Sequence, residues 1–316
     1  MKVLVTGVAG FIGMHCARRL LARGDEVLGV DNLSPYYSVE LKRARLKQLQ
    51  HRAFGFHEID IADAARLTAL FEREKPQAVL HLAAQAGVRY SFVNPASYVQ
   101  TNLVGFANVL EACRAFPPRH LVFASSSSVY GKNTKLPWSE TDNFDHQISL
   151  FAATKKANEL SAHAYSHLHG LHTTGLRYFT VYGPWGRPDM SAWLFAQAML
   201  DGKPIEVFNH GDMQRDFTYI DDIVEGTLRV LDKPAPYAIY NIGNHTPVGL
   251  LDYIAALERA LGAKAKLEMR PMQPGDVKAT YADTRALAKA VGFAPSTPLD
   301  SGLARFAEWF RSYYRR

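Results

Sequence analysis

Short, largely apolar runs recur along the first half of the chain, separated by stretches in which apolar residues return every three or four positions. Lys2–Thr6, Glu26–Asp31, Gly55–Asp60, Ala78–His81 and His120–Ser125 are runs of the first kind, and they predict strands of a sheet covered on both faces. Ile12–Arg23, Ser38–Gln50, Ala62–Glu74 and Pro95–Ala115 carry the helical period. A further strand is predicted near Thr173–Phe179. Strands alternating with helices predict βαβ units, hence an α/β class with a doubly wound parallel sheet. After about Val181 glycine and proline punctuate the chain and the rhythm breaks, with short strands predicted at Ile205–Phe208, Asp216–Ile220 and Leu267–Arg270. Residues 1–180 are therefore expected to form one domain and 181–316 mainly a smaller α/β part, interleaved with the first.

Composition narrows the class without changing this picture. Hydrophobic residues make up 47% and charged residues 21%, enough for a sizeable core and against disorder. The net charge of +6 suits phosphorylated small molecules as well as nucleic acid. Apart from one short cluster, Lys42, Arg43, Arg45 and Lys47, the basic residues are scattered, and no basic arm or aromatic-basic interleaving points to nucleic acid. Cys16 and Cys113 lie in apolar, helix-like stretches and predict free thiols in a reducing compartment. The first residues run into a strand pattern without signal-peptide features, and no apolar run reaches membrane-spanning length, so a cytoplasmic location without a membrane partner is expected.

Gly7-Val8-Ala9-Gly10-Phe11-Ile12-Gly13 follows the first predicted strand and opens a helix. Glycines at this spacing permit a tight turn and let backbone N–H groups approach a pyrophosphate at a helix N-terminus. Asp31, closing the second strand, can accept hydrogen bonds from ribose hydroxyls and would repel a 2′-phosphate, which favours NAD over NADP. Asn32 is placed to assist, and Asp60-Ile61 to frame the adenine.

Ser125-Ser126-Ser127-Ser128-Val129-Tyr130-Gly131 lies just after a parallel strand, where doubly wound sheets bind ligands. A helix is predicted over Ser149–Glu159, with Phe151 and Lys155 an i,i+4 pair on one face. Together the glycine turn, the serine tract and this helix resemble the extended short-chain dehydrogenase/reductase family, and the resemblance implies a Rossmann fold. It also implies a YxxxK pair here: a tyrosine acid/base, and a lysine that holds the nicotinamide ribose and lowers the phenol pKa from its free value of about 10. Lys155 matches, but the tyrosine position is Phe151, which has the ring and no hydroxyl. Three readings are open: a Tyr-to-Phe replacement that traps a bound ligand, a protein using another acid/base with Ser126 the nearest candidate, and a catalytically silent binder. The intact surroundings favour the first, and with it an expectation of very low activity.

The resemblance covers nearly the whole chain and is most specific for one branch, the UDP-glucuronate 4-epimerases. It rests on Asp31-Asn32-Leu33 with Tyr36-Tyr37, Ala83-Ala84-Gln85-Ala86-Gly87-Val88-Arg89, Tyr98 to Asn102, the stretch from Val181 to Met190, Arg215 to Asp222, and Gln273-Pro274-Gly275-Asp276-Val277. It implies NAD contacts at Gly7, Gly10, Phe11, Ile12, Gly13, Asp31, Asn32, Asp60, Ile61, Leu82, Ala83, Ala84, Asn102, Lys155 and Tyr178. For a UDP-sugar it implies Arg89, Ser126, Ser127, Ser128, Thr180, Arg187, Phe208, Arg215, Gln273 and Asp276. Within these, Arg187 and Arg215 face the sugar nucleotide, with Arg215 on the diphosphate, and Gln273 and Asp276 lie near the uridine. Thr180 stands where related galactose epimerases carry Asn.

Neighbouring branches that dehydrate or decarboxylate carry acidic residues where this chain has Ser127 and Ser128. Oxidation at C4 of glucuronate creates a β-keto acid that loses CO₂ when the carboxylate bond aligns with the ketone π system. Neutral hydroxyl donors could hold the carboxylate away from that alignment. The expected function is inversion of C4 of UDP-glucuronate to UDP-galacturonate through a 4-keto intermediate. The alternatives are another NDP-sugar epimerase or decarboxylase of this fold and a non-catalytic nucleotide-sugar or NAD-binding protein. No metal is expected: His163, His167, His169 and His172 decorate a helix end without metal-ligand spacing. Tyr313 to Arg316 are expected to be a solvated tail, and the resemblance implies a homodimer.

Overall fold

The structure, a computed structural model, describes residues 1–142, 144–273 and 277–315. The chain divides into two compact units, one of Met1–Gly131, Asn143–Arg177 and Val224–Tyr240, the other of Lys132–Asp142, Tyr178–Ile223 and Asn241–Arg316. The division is thus not a single cut near residue 180. Residues 132–142 cluster with the second unit, and 224–240 return to the first.

The first unit is built on strands β1 (Lys2–Thr6), β2 (Glu26–Asp31), β3 (Phe54–Glu58), β4 (Ala78–His81), β5 (His120–Ser126) and β6 (Thr173–Tyr178). Between them run helices α1 (Phe11–Ala22), α2 (Val39–Lys47), α3 (Ala64–Glu74), α4 (Tyr90–Val93), α5 (Pro95–Tyr98), α6 (Phe106–Ala115) and α7 (Leu150–His169). The later elements are β7 (Thr180–Tyr182), α8 (Ser191–Leu200), β8 (Pro204–Val207), β9 (Gln214–Tyr219), α9 (Ile220–Asp232), β10 (Tyr237–Ile242), β11 (Pro247–Gly249), α10 (Leu250–Leu261), β12 (Lys266–Met269), β13 (Ala279–Thr280), α11 (Arg285–Val291) and α12 (Leu299–Tyr314).

Seven strands form one sheet in the order β10-β6-β5-β4-β1-β2-β3, and β1 pairs in parallel with both β2 and β4. This is the doubly wound α/β arrangement, in which strand order reverses beside β1. Its core joins Leu4, Val30, Val79 and Leu121 of the strands to Leu67, Phe71, Phe106 and Val109 of the helices. Local chemistry sets the helix ends. Asp63 caps α3 by accepting from the Arg66 N–H at 3.1 Å, Ser149 caps α7 by accepting from Ala152 at 3.1 Å, and Gly170 ends α7 in the left-handed region.

The single helix expected over Pro95–Ala115 is divided. Asn94 and Pro95 start α5, and residues Val99–Gly105 continue as a π-helical segment before α6. The widened turn holds Asn102, whose side chain is bonded to the backbone of Gln85, so a tertiary contact overrides regular i→i−4 bonding here.

In the second unit β9 pairs with β11, β13 and β7, and β8 pairs with β12. Asp216 of β9 is fully buried and accepts from the N–H groups of Asn244, His245 and Ala282 and from the Thr218 hydroxyl, so one carboxylate ties three segments. Of the expected solvated tail, Tyr313 and Tyr314 are instead the end of α12, while Arg315 is exposed just beyond it. Tyr313 stacks on Trp309 at 5.4 Å and meets Trp185 at 5.2 Å, while Tyr314 meets Trp193 at 5.5 Å. Burial of the aromatic rings against one another holds the two tyrosines in place; Arg316 lies outside the described residues. Among the described residues, no helix is long and apolar enough to cross a membrane, and no group of three metal-ligating side chains occurs.

Candidate functional site

The glycine turn is closed by backbone contacts that only glycine allows. Gly7 has φ +70°, and a Cβ there would lie 2.7 Å from the Ala83 nitrogen. A Cβ on Gly13 would lie 2.1 Å from the Gly7 carbonyl oxygen, and one on Gly10 2.8 Å from the same atom. Gly10, the N-cap of α1, offers no side chain to the first helical N–H groups, so those of Phe11, Ile12 and Gly13 remain available to an anion.

Thr6 and His81 are register partners on β1 and β4, and sequence reasoning passed over both. The Thr6 hydroxyl accepts from the Leu82 and Ala83 N–H groups at 3.2 and 3.1 Å, which leaves its proton for His81 Nδ1 at 2.8 Å. His81 is therefore the tautomer with Nδ1 unprotonated, and burial pushes its pKa down to about 3. This neutral pair fixes Leu82 to Ala84 against Gly7. The only sequence signal was a polar residue at the last position of each of two adjacent strands.

Asp31 is 8% exposed at the end of β2; its two oxygens accept from the N–H groups of Ala9 at 3.0 Å and Leu33 at 2.9 Å. Burial raises its pKa above the ordinary carboxylate value, against the pull of Lys42. Asn32 is exposed and donates to Asp60 at 2.9 Å, Asp60 also accepts from the Ala62 N–H, and Ile61 is buried beside it. The turn, the Leu82–Ala84 strand end and Asp31 thus fit a dinucleotide: uncapped helical N–H groups for a pyrophosphate, and a carboxylate for ribose hydroxyls.

Ser126 closes β5 and Ser127–Tyr130 form a tight helical turn. Ser126 Oγ lies 3.0 Å from Ser128 Oγ and accepts from the Ser128 N–H, while Ser125 turns inward to Glu159 at 2.6 Å. On α7, Lys155 is 3% exposed, donates to the Ala124 carbonyl at 2.9 Å, and is pushed down to about pKa 8 by burial. One turn earlier Phe151 is half-buried, edge-on to Tyr98 at 6.2 Å. The Tyr98 hydroxyl donates to the carbonyls of Ala86 and Gly87 and is not placed as a substitute acid/base.

Asn102 uses its amide to bond both backbone groups of Gln85 and the Thr154 hydroxyl, and its carbonyl accepts from Asn158. It braces residues 82–87 against α7. Arg89 is exposed at the start of α4. Sequence reasoning also missed Glu159 and Arg177, a buried pair with two bonds of 2.8 Å, the arginine lying 4.8 Å over the Tyr130 ring. Glu159 stands one turn past Lys155, a spacing that was the available signal.

In the second unit, Tyr178 is buried at the end of β6 and Thr180 opens β7. Arg187 forms an ion pair with Asp189 at 2.5 Å. Arg215 is the second residue of β9 and donates to the carbonyls of Gln214 and Lys278. Phe208 opens a turn continued by left-handed Asn209 and His210. Gln273 is half-buried, and Asp276 lies outside the described residues.

A sequence model for the family described as NAD dependent epimerase/dehydratase matches residues 3–243. A protein of Rhizobium meliloti named as a probable UDP-glucuronate 4-epimerase is 45% identical, over 100% of this chain and 98% of its own. UDP-glucuronate 4-epimerase 3 of Arabidopsis thaliana is 49% identical, over 99% of this chain and 77% of its own. Among solved structures, the UDP-glucuronic acid 4-epimerase of Bacillus cereus in complex with UDP-glucuronic acid and NAD superposes with a TM-score of 0.93. It is 34% identical and covers 99% of this chain and 100% of its own.

Proposed function

The chain belongs to the NAD dependent epimerase/dehydratase family, and from that premise we propose that it is an NAD-dependent UDP-glucuronate 4-epimerase whose turnover is limited by Phe151. The full-length likeness to UDP-glucuronate 4-epimerases carries the reading.

Gly7, Gly10 and Gly13 would let the N–H groups of Phe11 and Ile12 hold the pyrophosphate, and Asp31 with Asn32 would hold the adenosine ribose. Leu82, Ala83 and Ala84 would line the dinucleotide, Asp60 and Ile61 its adenine, and Lys155, Asn102 and Tyr178 its nicotinamide end. Bound NAD supplies the acceptor and donor of hydride at C4. Ser126 would hold the C4 hydroxyl in a hydrogen-bond relay. Ser127 and Ser128 would fix the carboxylate with neutral donors, away from the alignment that releases CO₂. Inversion requires the 4-keto sugar to turn over while its diphosphate stays in place. Arg215 and Arg187 suit that task because a guanidinium grips phosphate oxygens bidentately. Thr180, Phe208, Arg89, Gln273 and Asp276 complete the proposed substrate contacts.

Phe151 cannot move the C4 proton, and loss of a positioned acid/base costs on the order of 10²–10⁴ in rate. A homodimer is supported by exposed apolar side chains on the helical run at 90–105 and on α7, among them Phe92, Val93 and Leu160. Two buried free cysteines are consistent with the cytoplasm.

The test compares the chain with Phe151→Tyr on UDP-glucuronate, following products by NMR. UDP-galacturonate from the Tyr form, and barely any from the Phe form, is expected. If both are equally active, position 151 is not the acid/base and Ser126 is next. Release of CO₂ would move the chain to the decarboxylases. Phe151 also favours a second reading, a non-catalytic nucleotide-sugar binder; silence of Phe151→Tyr on every UDP-sugar, with binding intact, would select it.

A further inference from the structure

The loop 183–190, between β7 and α8, carries Arg187 and is bent at a tryptophan. The Gly186 N–H closes a four-residue turn on the Gly183 carbonyl at 3.1 Å, with Pro184 second and Trp185 third. Trp185 has φ +63°. The third place of such a turn suits glycine or asparagine, because a Cβ is crowded at positive φ, and for a side chain as large as indole the conformation is an outlier. It persists only where surrounding contacts over-determine it.

Those contacts come from α12. The Trp185 ring lies 5.3 Å from that of Trp309 and 5.2 Å from that of Tyr313, and these two are stacked at 5.4 Å. Past the loop, Trp193 in the first turn of α8 lies 5.3 Å from the same Trp309 and 5.4 Å from Phe310. α12 therefore grips the loop on both sides, all within the second compact unit. Arg187 lies between the two grips in the chain. Its guanidinium is bonded in a fork to Asp189, and its carbonyl accepts from the Met190 N–H at 3.2 Å. Where a guanidinium is presented depends on the backbone that carries it, and small misplacements weaken a bidentate contact. Without the ring contacts residue 185 would relax toward negative φ and redirect the chain two residues before Arg187.

We propose that Trp309 and Tyr313 are positioning residues for Arg187: by holding Trp185 in the left-handed turn, they set where the guanidinium meets a UDP-sugar. The inference rests on the reading that Arg187 contacts the sugar nucleotide. The end of α12 then has a task in substrate binding, although neither aromatic side chain need touch the substrate. A purely structural role for the cluster would lower stability without acting through Arg187 or through the conformation at 185.

The experiment titrates UDP-glucuronate into the NAD-saturated full chain by calorimetry, with melting curves as a check of folding. Native protein, Tyr313→Ala, Trp185→Ala, Trp185→Gly, Arg187→Met and the double variant Tyr313→Ala with Arg187→Met are compared. Arg187→Met is expected to weaken UDP-glucuronate by about tenfold, and Tyr313→Ala and Trp185→Ala by up to the same factor. Tyr313→Ala is expected to add nothing once Arg187 is replaced. Glycine takes a positive φ without a steric cost, so Trp185→Gly is expected to bind at least about threefold tighter than Trp185→Ala. Should Tyr313→Ala fail to fold, the two Trp185 variants decide. Native affinity in Tyr313→Ala and Trp185→Ala, a Tyr313→Ala loss that adds in full to that of Arg187→Met, or Trp185→Gly no tighter than Trp185→Ala overturns the positioning role. Unchanged affinity in Arg187→Met overturns the contact of Arg187 with the substrate, and this inference with it.

Discussion

The glycine turn and the face of α7 lie in the same compact unit and depend on different parts of the chain's chemistry. The turn works through backbone. Its glycines are required by contacts of 2.1 to 2.8 Å that any Cβ would make, and its N–H groups are aimed by helix α1 itself. The α7 face works through side chains, and there a single atom is decisive. Phe151 keeps the ring against Tyr98 but lacks the oxygen, while Lys155 and Glu159 one and two turns on stay in place. A backbone site fails through shape and a side-chain site through chemistry. The chain therefore carries an uninterrupted glycine turn and, on α7, a phenylalanine one turn before the buried Lys155.

Restoring that oxygen is the sharpest way to separate the two regions. Phe151→Tyr is expected to raise turnover by roughly 10²–10⁴ while the NAD dissociation constant moves little; steady-state kinetics beside a binding titration checks both. A parallel rise in NAD affinity would mean that the regions are not independent.

Removing the support of α7 comes next. Glu159→Leu leaves Arg177, 4% exposed at its side chain, without its carboxylate and releases Ser125, and is expected to destabilise the chain by roughly 3–5 kcal/mol. Urea unfolding measures it. A loss below about 1 kcal/mol, the size of an exposed pair, would show that the Glu159–Arg177 pair does not hold the serine turn.

Gly13→Ala attacks the cradle instead. Its Cβ must displace the Gly7 carbonyl, an overpacking cost of about 1–3 kcal/mol, and NAD affinity is expected to fall with it. Calorimetric titration that found unchanged affinity would place the pyrophosphate elsewhere.

A pH dependence is expected from Lys155. Its pKa is about 8 in the folded chain against 10.5 for a free lysine, with burial as the cause. Between these values the unfolded chain binds more protons, so stability of the dinucleotide-free protein rises with pH from about 8 to about 10.5. Melting curves of the native chain and Lys155→Met across that window should converge or cross as pH rises; parallel curves would mean that Lys155 is not desolvated.

Much of the first unit was legible in the sequence because parallel strands covered on both faces leave short apolar runs, and a glycine turn between strand and helix has few other uses. Lys2–Thr6, Glu26–Asp31 and Ala78–His81 emerge with the predicted bounds. The serine tract and the Lys155 position were readable because their spacing is local. Less legible were contacts between residues far apart in the chain. Nothing near Thr6 announces His81, nothing near Glu159 announces Arg177, and the helical pattern of 95–115 does not show the π-helical turn that Asn102 occupies.

The sequence alone determined the alternating architecture, the glycine turn between strand and helix, the carboxylate that closes the second strand, and the missing hydroxyl at 151. Each is a matter of residue type and local spacing, which the backbone converts directly into geometry. Only the tertiary structure decided which members of a basic cluster are buried, that Tyr313 and Tyr314 pack among tryptophans, and that the second compact unit takes in residues 132–142. Those outcomes depend on which distant surfaces meet. Burial and charge compensation act through space, and sequence distance carries no information about them.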